Sequence, residues 1–183
     1  MLKYLVKRAL ARFARRYDAE VGHLMVVAEH DPLGVLRLQM AQGLGAHRFG
    51  LPAEVYAAAL LVALHRADCG ACLELGMKMA EDAGVAHDMV RAIVLESVPE
   101  DSPSGVGLAI SFAQAVLDGD HCLDELAEQV RARWGVRGQA GLSAAIAGAA
   151  YFPVFKRGMG YAQACMPVTE HIRRFDTAFP QHA

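Results

Sequence analysis

Two cysteines three residues apart, Cys69 and Cys72, are the residues whose types and spacing most directly suggest chemistry. They lie in the stretch ADCGACLELGMKMAEDAG, whose apolar spacing predicts a helix that begins beside them. Residues i and i+3 of a helix share a face at about 5–6 Å, a separation that a disulfide can bridge. The first turn of a helix also stabilises a thiolate through its unpaired amides and its dipole, which lowers the thiol pKa. The pair therefore predicts a redox-active dithiol in which either cysteine is the attacking thiol.

Two other interpretations of the pair compete with this one. A zinc site needs about four ligands, and Cys122 and Cys165 show no second CxxC or CxxH spacing, so no metal or other cofactor is predicted. Two inert buried cysteines remain an alternative, because cysteine is among the most buried residue types. Four cysteines without an export signal predict a reducing cytoplasm, where a CxxC pair is more often catalytic or metal-binding than structural.

Composition limits the classes of protein and of partner. The 183 residues are 54% hydrophobic and 21% charged, which predicts one globular domain with its own core. A formal net charge of −2 gives no electrostatic reason to expect nucleic acid as a partner. The longest uncharged run, 138–155, is rich in Gly, Ala and Ser, so a buried or subunit-interface helix is predicted there and not a membrane span.

Nearly every segment has a helical period and none alternates as a strand does, so the predicted fold class is all-α, a helical bundle. We divide the chain into an N-terminal part (1–32), a helical domain (33–165) and a polar tail (166–183). The first predicted helix, about 2–17, is amphipathic and strongly basic. It is interpreted either as a docked helix with a solvated basic face or as an arm that binds a membrane surface or a partner. The other predicted helices are about 19–29, 33–46, 52–67, 69–84, 86–97, 107–118, 121–134, 138–151 and 153–165, with Asp68 as the cap of the helix that carries the cysteines.

A long apolar helix after LPAE, then DCGACLELGMKMAEDAGV, then LDGDHCLDELAEQVRARWGVRGQAGLSAAIAGAAYF resembles the AhpD-like superfamily. That superfamily includes the alkylhydroperoxidase D proteins and the γ-carboxymuconolactone decarboxylases. The resemblance covers roughly 33–165, and the CxxC near a helix start is its most specific element. It implies an AhpD-like helical bundle that assembles as a homo-oligomer, a trimer or a hexamer. It also implies reduction of a small-molecule peroxide or of a disulfide, with a redox partner protein as a possible second substrate.

The alkylhydroperoxidase branch carries a glutamate twelve residues before the first cysteine and a histidine four residues after the second, which together relay protons. Here those positions are Ala57 and Gly76, neither of which carries a proton. Glu54, one turn before Ala57, and His65, four residues before the first cysteine, are the candidate substitutes, so the predicted catalytic residues are Cys69, Cys72, Glu54 and His65. Gly76 is interpreted either as packing space for a neighbouring helix or as room for a substrate.

Two functions compete with peroxide or disulfide reduction. A lyase similar to the carboxymuconolactone decarboxylase branch acts on an acidic lactone and does not need redox cycling of the cysteines. A non-catalytic binding or assembly protein retains the fold after losing the relay. Both remain alternatives at the level of sequence.

Overall fold

The computed structural model describes residues 1–161, with residues 41, 42 and 44–46 described by their backbone alone. This part of the chain is all-α, as predicted, and consists of eight helices without a strand. The helices are α1 (Leu2–Tyr17), α2 (Gly22–His30), α3 (Pro32–Ala46), α4 (Ala53–Arg66), α5 (Gly70–Asp82), α6 (His87–Val94), α7 (Val106–Asp118) and α8 (Leu123–Gly158). No helix within the described range is both long and apolar enough to cross a bilayer. Cys165 and the predicted tail 166–183 lie outside the described residues.

The main core is built around α4, which packs against α5, α6, α7 and α8. Eight of the fourteen residues of α4 are buried, so this helix is apolar on nearly all sides and lies at the centre of the bundle. A loop ending near Leu51 leads into it, and Pro52 is its N-cap. Because α4 is enclosed, each helix packed on it is fixed relative to the others.

A second, smaller core joins the N-terminal helices to the end of the chain's last described helix. Val6 and Leu10 of α1 and Val35 of α3 are buried in it, and Phe152 and Phe155 of α8 pack against it. Helices α1–α3 therefore contribute to the second core and α4–α7 to the main core, while α8 contributes to both. In α1 the first-turn residues Leu2 and Leu5 are exposed, so the buried contact of this helix is made by Val6 and Leu10.

The long helix α8 differs from the sequence prediction. A helix break was predicted before Pro153, but the helix continues through this buried proline to Gly158. The interruption predicted between the helices 121–134 and 138–151 is confirmed at Gly135, where φ is 69° and ψ is 179°, a conformation that essentially only glycine adopts. The packing of α8 in both cores holds it helical past the proline, which removes one helical hydrogen bond.

Candidate functional site

The cysteine pair lies at the turn between α4 and α5. Asp68 has a left-handed backbone (φ 47°) and ends the α4 segment, and its amide donates to the carbonyl of His65. Cys69 is the N-cap of α5, so the prediction that Asp68 caps this helix was wrong by one residue. The first helical hydrogen bond runs from the Leu73 amide to the Cys69 carbonyl at 2.9 Å. The amides between these two residues precede the helical ladder, and they supply the positive end of the α5 dipole beside the sulfurs.

The two sulfur atoms are close and differ in their access to solvent. Cys69 Sγ and Cys72 Sγ are 2.7 Å apart. The Cys69 side chain is completely buried, with 0% exposure, whereas Cys72 is half-buried at the edge of the main core. A disulfide between them needs only a small movement of the side chains, and a reagent from solvent reaches Cys72 first.

The two positions that correspond to the relay residues of the alkylhydroperoxidase branch, which the sequence only resembles, are packing positions in this chain. Ala57 is buried in α4, and Gly76 is buried on the face of α5 that packs against α4. A β-carbon on Gly76 would lie 2.5 Å from Leu64 Cδ1 and 3.2 Å from Leu61 Cδ2. Of the two interpretations of Gly76, the structure therefore supports packing space, because a side chain has no room there.

The structure does not bring Glu54 to the cysteines. Gly76 packs against the C-terminal half of α4, at Leu64 and the two leucines near it, and Cys72 lies one turn of α5 closer to the connecting turn. Glu54 is in the first turn of α4, at the opposite end from that connection. With a rise of 1.5 Å per residue, it lies about 18 Å along the axis from Arg66, where α4 ends.

His65 lies in the last turn of α4, close to the cysteines along the chain. Its Nδ1 is 3.8 Å from Glu96 Oε1, just beyond the end of α6, and its side chain is about one-third exposed. The ring is thus directed toward a carboxylate on the α6 side of the turn. This contact involves neither sulfur atom, so the role of His65 as a proton carrier stays a prediction.

Cys122, the remaining cysteine in the described range, lines an open cleft of about 450 Å³ between α4, α7 and the start of α8. Partial desolvation raises the pKa of its thiol, and the hydrogen bond with Asp120 raises it further. An ion pair between Arg66 and Asp118 crosses the same cleft at 3.0 Å. Cys122 is therefore a poorly activated thiol. Within residues 1–161, no group of three or more His, Cys, Asp or Glu side chains is arranged to hold a metal ion.

Two contacts of α8 with the cysteine region and with the second core were not predicted from the sequence. Arg157 Nη1 donates to the carbonyl of Ala67 at 2.7 Å, which ties the α4–α5 turn to the end of α8. The adjacent Lys156 is 3% exposed, and its Nζ lies 3.2 Å from Glu20 Oε2. In the sequence, Lys156 is distinguished only by its position at the end of a long uncharged run. Its partner Glu20 lies more than a hundred residues upstream.

Lys156 and Glu20 enclose a buried histidine. His23 Nδ1 lies 3.5 Å from the same Glu20 oxygen but makes no hydrogen bond within the described part of the chain. Burial lowers the pKa of His23, and the neighbouring Lys156 lowers it further, against the opposing effect of Glu20. Burial also opposes ionisation of Glu20, but the Gly22 amide and Lys156 outweigh it and lower the pKa of this carboxyl. This cluster therefore holds an ionised Glu–Lys pair beside a neutral imidazole.

Comparison of the chain with protein-family models, with curated proteins and with solved structures finds no match.

Proposed function

We propose that the protein is a thiol-disulfide oxidoreductase that uses Cys69 and Cys72 to reduce a peroxide or a disulfide. The observation that carries the proposal is the pair of sulfurs 2.7 Å apart at the start of α5, one half-buried and one completely buried. This asymmetry matches a division into an attacking and a resolving thiol. The substrate needs access to only one sulfur, and the other sulfur then needs to reach only its neighbour.

In the proposed reaction with a peroxide, the Cys72 thiolate attacks the terminal oxygen and the O–O bond breaks. The sulfur becomes a sulfenic acid, and the departing alkoxide takes a proton to leave as an alcohol. The Cys69 thiol then attacks the sulfenic sulfur, which forms the disulfide and releases water. With a disulfide as substrate, Cys72 forms a mixed disulfide that Cys69 resolves, and the second substrate thiol leaves.

Return to the dithiol needs a two-electron thiol reductant, so we include a redox partner protein in the proposal. Such a reductant pool is typical of the cytoplasm, where we expect the protein to act. A buried Cys69 is not reached directly by a partner. The partner therefore attacks at Cys72, and Cys69 is the thiol released.

The amides of the first turn of α5 are the local source of thiolate stabilisation in this proposal, because the family relay positions are Ala57 and Gly76. Without a relay, the departing oxygen takes its proton from water. We therefore expect a slow peroxidase whose rate depends on pH through the attacking thiol. Disulfide exchange depends less on a proton donor, because a thiolate is a better leaving group than an alkoxide.

We also propose that the chain forms a homo-oligomer through the outer side of α8. An open apolar depression of about 410 Å³ lies there, lined by Ala147, Ala150, Tyr151, Val154 and Phe155. Val154 is 61% exposed, and α8 carries no charged residue from 138 to 155. Light scattering after size exclusion tests this surface: Val154→Glu is expected to give monomers, and an unchanged mass contradicts the proposal.

A non-catalytic member of the fold is the second candidate, because both family relay positions are filled by packing and Cys69 is completely buried. In that case the thiols react only after unfolding. Alkylation of the native protein separates the two candidates, since the oxidoreductase requires Cys72 to label before the protein unfolds.

The test uses three single substitutions, Cys69→Ser, Cys72→Ser and Cys122→Ser. Consumption of an alkyl hydroperoxide and of a model disulfide is followed with a thiol reductant, and alkylated sites are located by mass spectrometry as a function of pH. We expect Cys72→Ser to abolish turnover, Cys69→Ser to trap a sulfenic acid or mixed disulfide, and Cys122→Ser, the matched control, to leave turnover unchanged. Turnover that survives in both Cys69→Ser and Cys72→Ser refutes the proposal.

A further inference from the structure

Helix α1 is held to the protein by one of its sides. Val6 and Leu10 are buried in the second core. Lys3 and Lys7 both form ion pairs with Glu29 of α2. These contacts fix which side of α1 faces the protein, and they use two of its six basic residues in internal pairs.

The C-terminal end of α1 is fixed to α5. Arg16 Nη2 and the Tyr17 hydroxyl both lie 2.8 Å from Asp82 Oδ2, and Lys78 donates to the Tyr17 carbonyl at 2.9 Å. The helix is therefore attached at both ends and along its inner side. It is a docked helix, as the first of the two sequence interpretations held, but docking leaves its outer side open.

The opposite side carries a row of exposed residues, which we call the outer stripe: Tyr4, Leu5, Arg8, Arg12 and Arg15. At 3.6 residues per turn these five positions fall within an arc of about 100°. Tyr4 is 67% exposed and Leu5 is 56% exposed. The three arginines are exposed, and none forms an ion pair with a residue in the 1–161 range. The stripe thus combines an apolar first turn with three arginines whose charges are not neutralised within the described structure.

This combination matches an anionic bilayer surface better than a protein groove. The stripe is the convex ridge of a helix of 16 residues, about 24 Å long, and it presents no concave pocket. Leucine and tyrosine side chains insert at the boundary between headgroups and acyl chains, where the tyrosine hydroxyl stays hydrated. Arginine binds phosphate oxygens through two parallel hydrogen bonds. The net charge of the chain is −2, so attraction to anionic lipid must come from this local array.

We propose that the outer stripe of α1 binds the surface of anionic phospholipid membranes, with α1 lying in the plane of the interface. Tyr4 and Leu5 enter the headgroup region, and Arg8, Arg12 and Arg15 pair with lipid phosphates and carboxylates. The helix is already folded and docked in the free protein. Binding therefore does not require folding of the helix, unlike binding of an unstructured basic segment.

Sedimentation of the full chain with vesicles tests the proposal. The vesicles contain either phosphatidylcholine alone or phosphatidylcholine with about one-third phosphatidylserine. We expect binding to the anionic vesicles only, weakened in 0.5 M NaCl because salt screens the arginines. Each arginine near an anionic surface contributes about a fivefold gain in affinity, so Arg8→Gln, Arg12→Gln and Arg15→Gln together should reduce binding on the order of a hundredfold.

A charge-matched control separates a local site from a general charge effect. Arg48, Arg131 and Arg137 are also exposed but lie outside α1, and their replacement by Gln changes the net charge by the same amount. This control is expected to bind as the parent does. Leu5→Ser should weaken binding without changing the dependence on salt.

Four results would overturn the inference. They are no binding to anionic vesicles, equal binding to neutral vesicles, equal losses in the stripe variant and in the charge-matched control, and loss of a concentration-dependent dimer in Leu5→Ser. The last result identifies a second copy of the chain as the occupant. Circular dichroism of each variant confirms that α1 stays folded, since the substituted side chains are exposed and are not part of either core.

Discussion

A histidine at Gly76, the position of the relay histidine in the alkylhydroperoxidase branch that the sequence resembles, is expected to destabilise the protein and not to activate the cysteines. A β-carbon at this position would lie 2.5 Å from Leu64 Cδ1 and 3.2 Å from both Leu60 Cδ2 and Leu61 Cδ2. Leu61 and Leu64 are 1% and 7% exposed, so neither side chain moves without displacing the rest of the main core. Gly76→His inserts a whole imidazole where one carbon does not fit.

The size of the effect follows from two costs. Overpacking a close-packed core costs about 1–3 kcal/mol, and burying an imidazole without its hydrogen bonds costs about 1–3 kcal/mol more. The better helix propensity of histidine relative to glycine returns less than about 1 kcal/mol. We expect the free energy of unfolding to fall by about 2–5 kcal/mol. For a chain of this length that corresponds to a loss of about 4–20 °C in the unfolding temperature.

The measurement is urea unfolding followed by circular dichroism, with Gly158→His as the matched control. Gly158 is also a helical glycine, the last residue of α8, but has no heavy atom within 4 Å of a built β-carbon, so the same substitution is expected to change stability by less than about 1 kcal/mol. Equal stability of the two variants would show that the contacts around Gly76 do not limit side-chain size. A gain of peroxidase activity in Gly76→His would show that the relay position is open, against the packing interpretation.

Three further predictions follow from the same structure. Burial holds the pKa of His23 below its ordinary value, so below about pH 6.5 the unfolded chain takes up a proton that the folded chain does not. The free energy of unfolding should therefore fall as the pH falls. Urea unfolding between pH 5 and 8 measures this slope, and His23→Gln should reduce it. A β-carbon on Gly107 would overlap the carbonyl oxygen of Pro99, a backbone atom. In thermal unfolding, Gly107→Ala should therefore lower the free energy of unfolding by about 2–4 kcal/mol. The control Gly158→Ala should raise it by up to about 1 kcal/mol. Hydrogen bonds from two lysines of α1 lower the pKa of Glu29 to about 2. The contribution of Glu29 to stability is therefore present above about pH 4.5 and is lost as the pH falls toward 2. A carboxyl NMR titration with a midpoint near 4.5 would contradict the ion pair.

Local patterns were sufficient to predict the fold class and most helices, because apolar period, proline and glycine report directly on backbone conformation. They were not sufficient where tertiary packing decides. Pro153 reads locally as the start of a new helix, yet α8 continues through it because both cores hold this helix. Asp68 reads as a helix cap, yet a left-handed backbone at this residue moves the start of α5 to Cys69.

The candidate site was predictable only in its covalent part. Spacing predicts that Cys69 and Cys72 lie close together, but burial, which makes the two thiols unequal, depends on how α4 and α5 pack. The role of Gly76 is ambiguous in the sequence, because glycine occurs both where neighbouring side chains leave no room and where space is left for a ligand. The buried Lys156–Glu20 pair leaves no local signal, since its partners are distant in the chain and meet only in the folded protein.

The second core has a consequence for synthesis of the chain on the ribosome. The N-terminal helices gain their full cover only after Phe152 and Phe155 have been synthesised, roughly 120 residues after Val35. At about 5–20 residues per second, synthesis of these residues follows that of Val35 by on the order of 6–24 s. During that interval the apolar side chains of Val6 and Leu10 lack part of their final cover, so we expect a chaperone that binds exposed apolar helices to bind the nascent N-terminal segment.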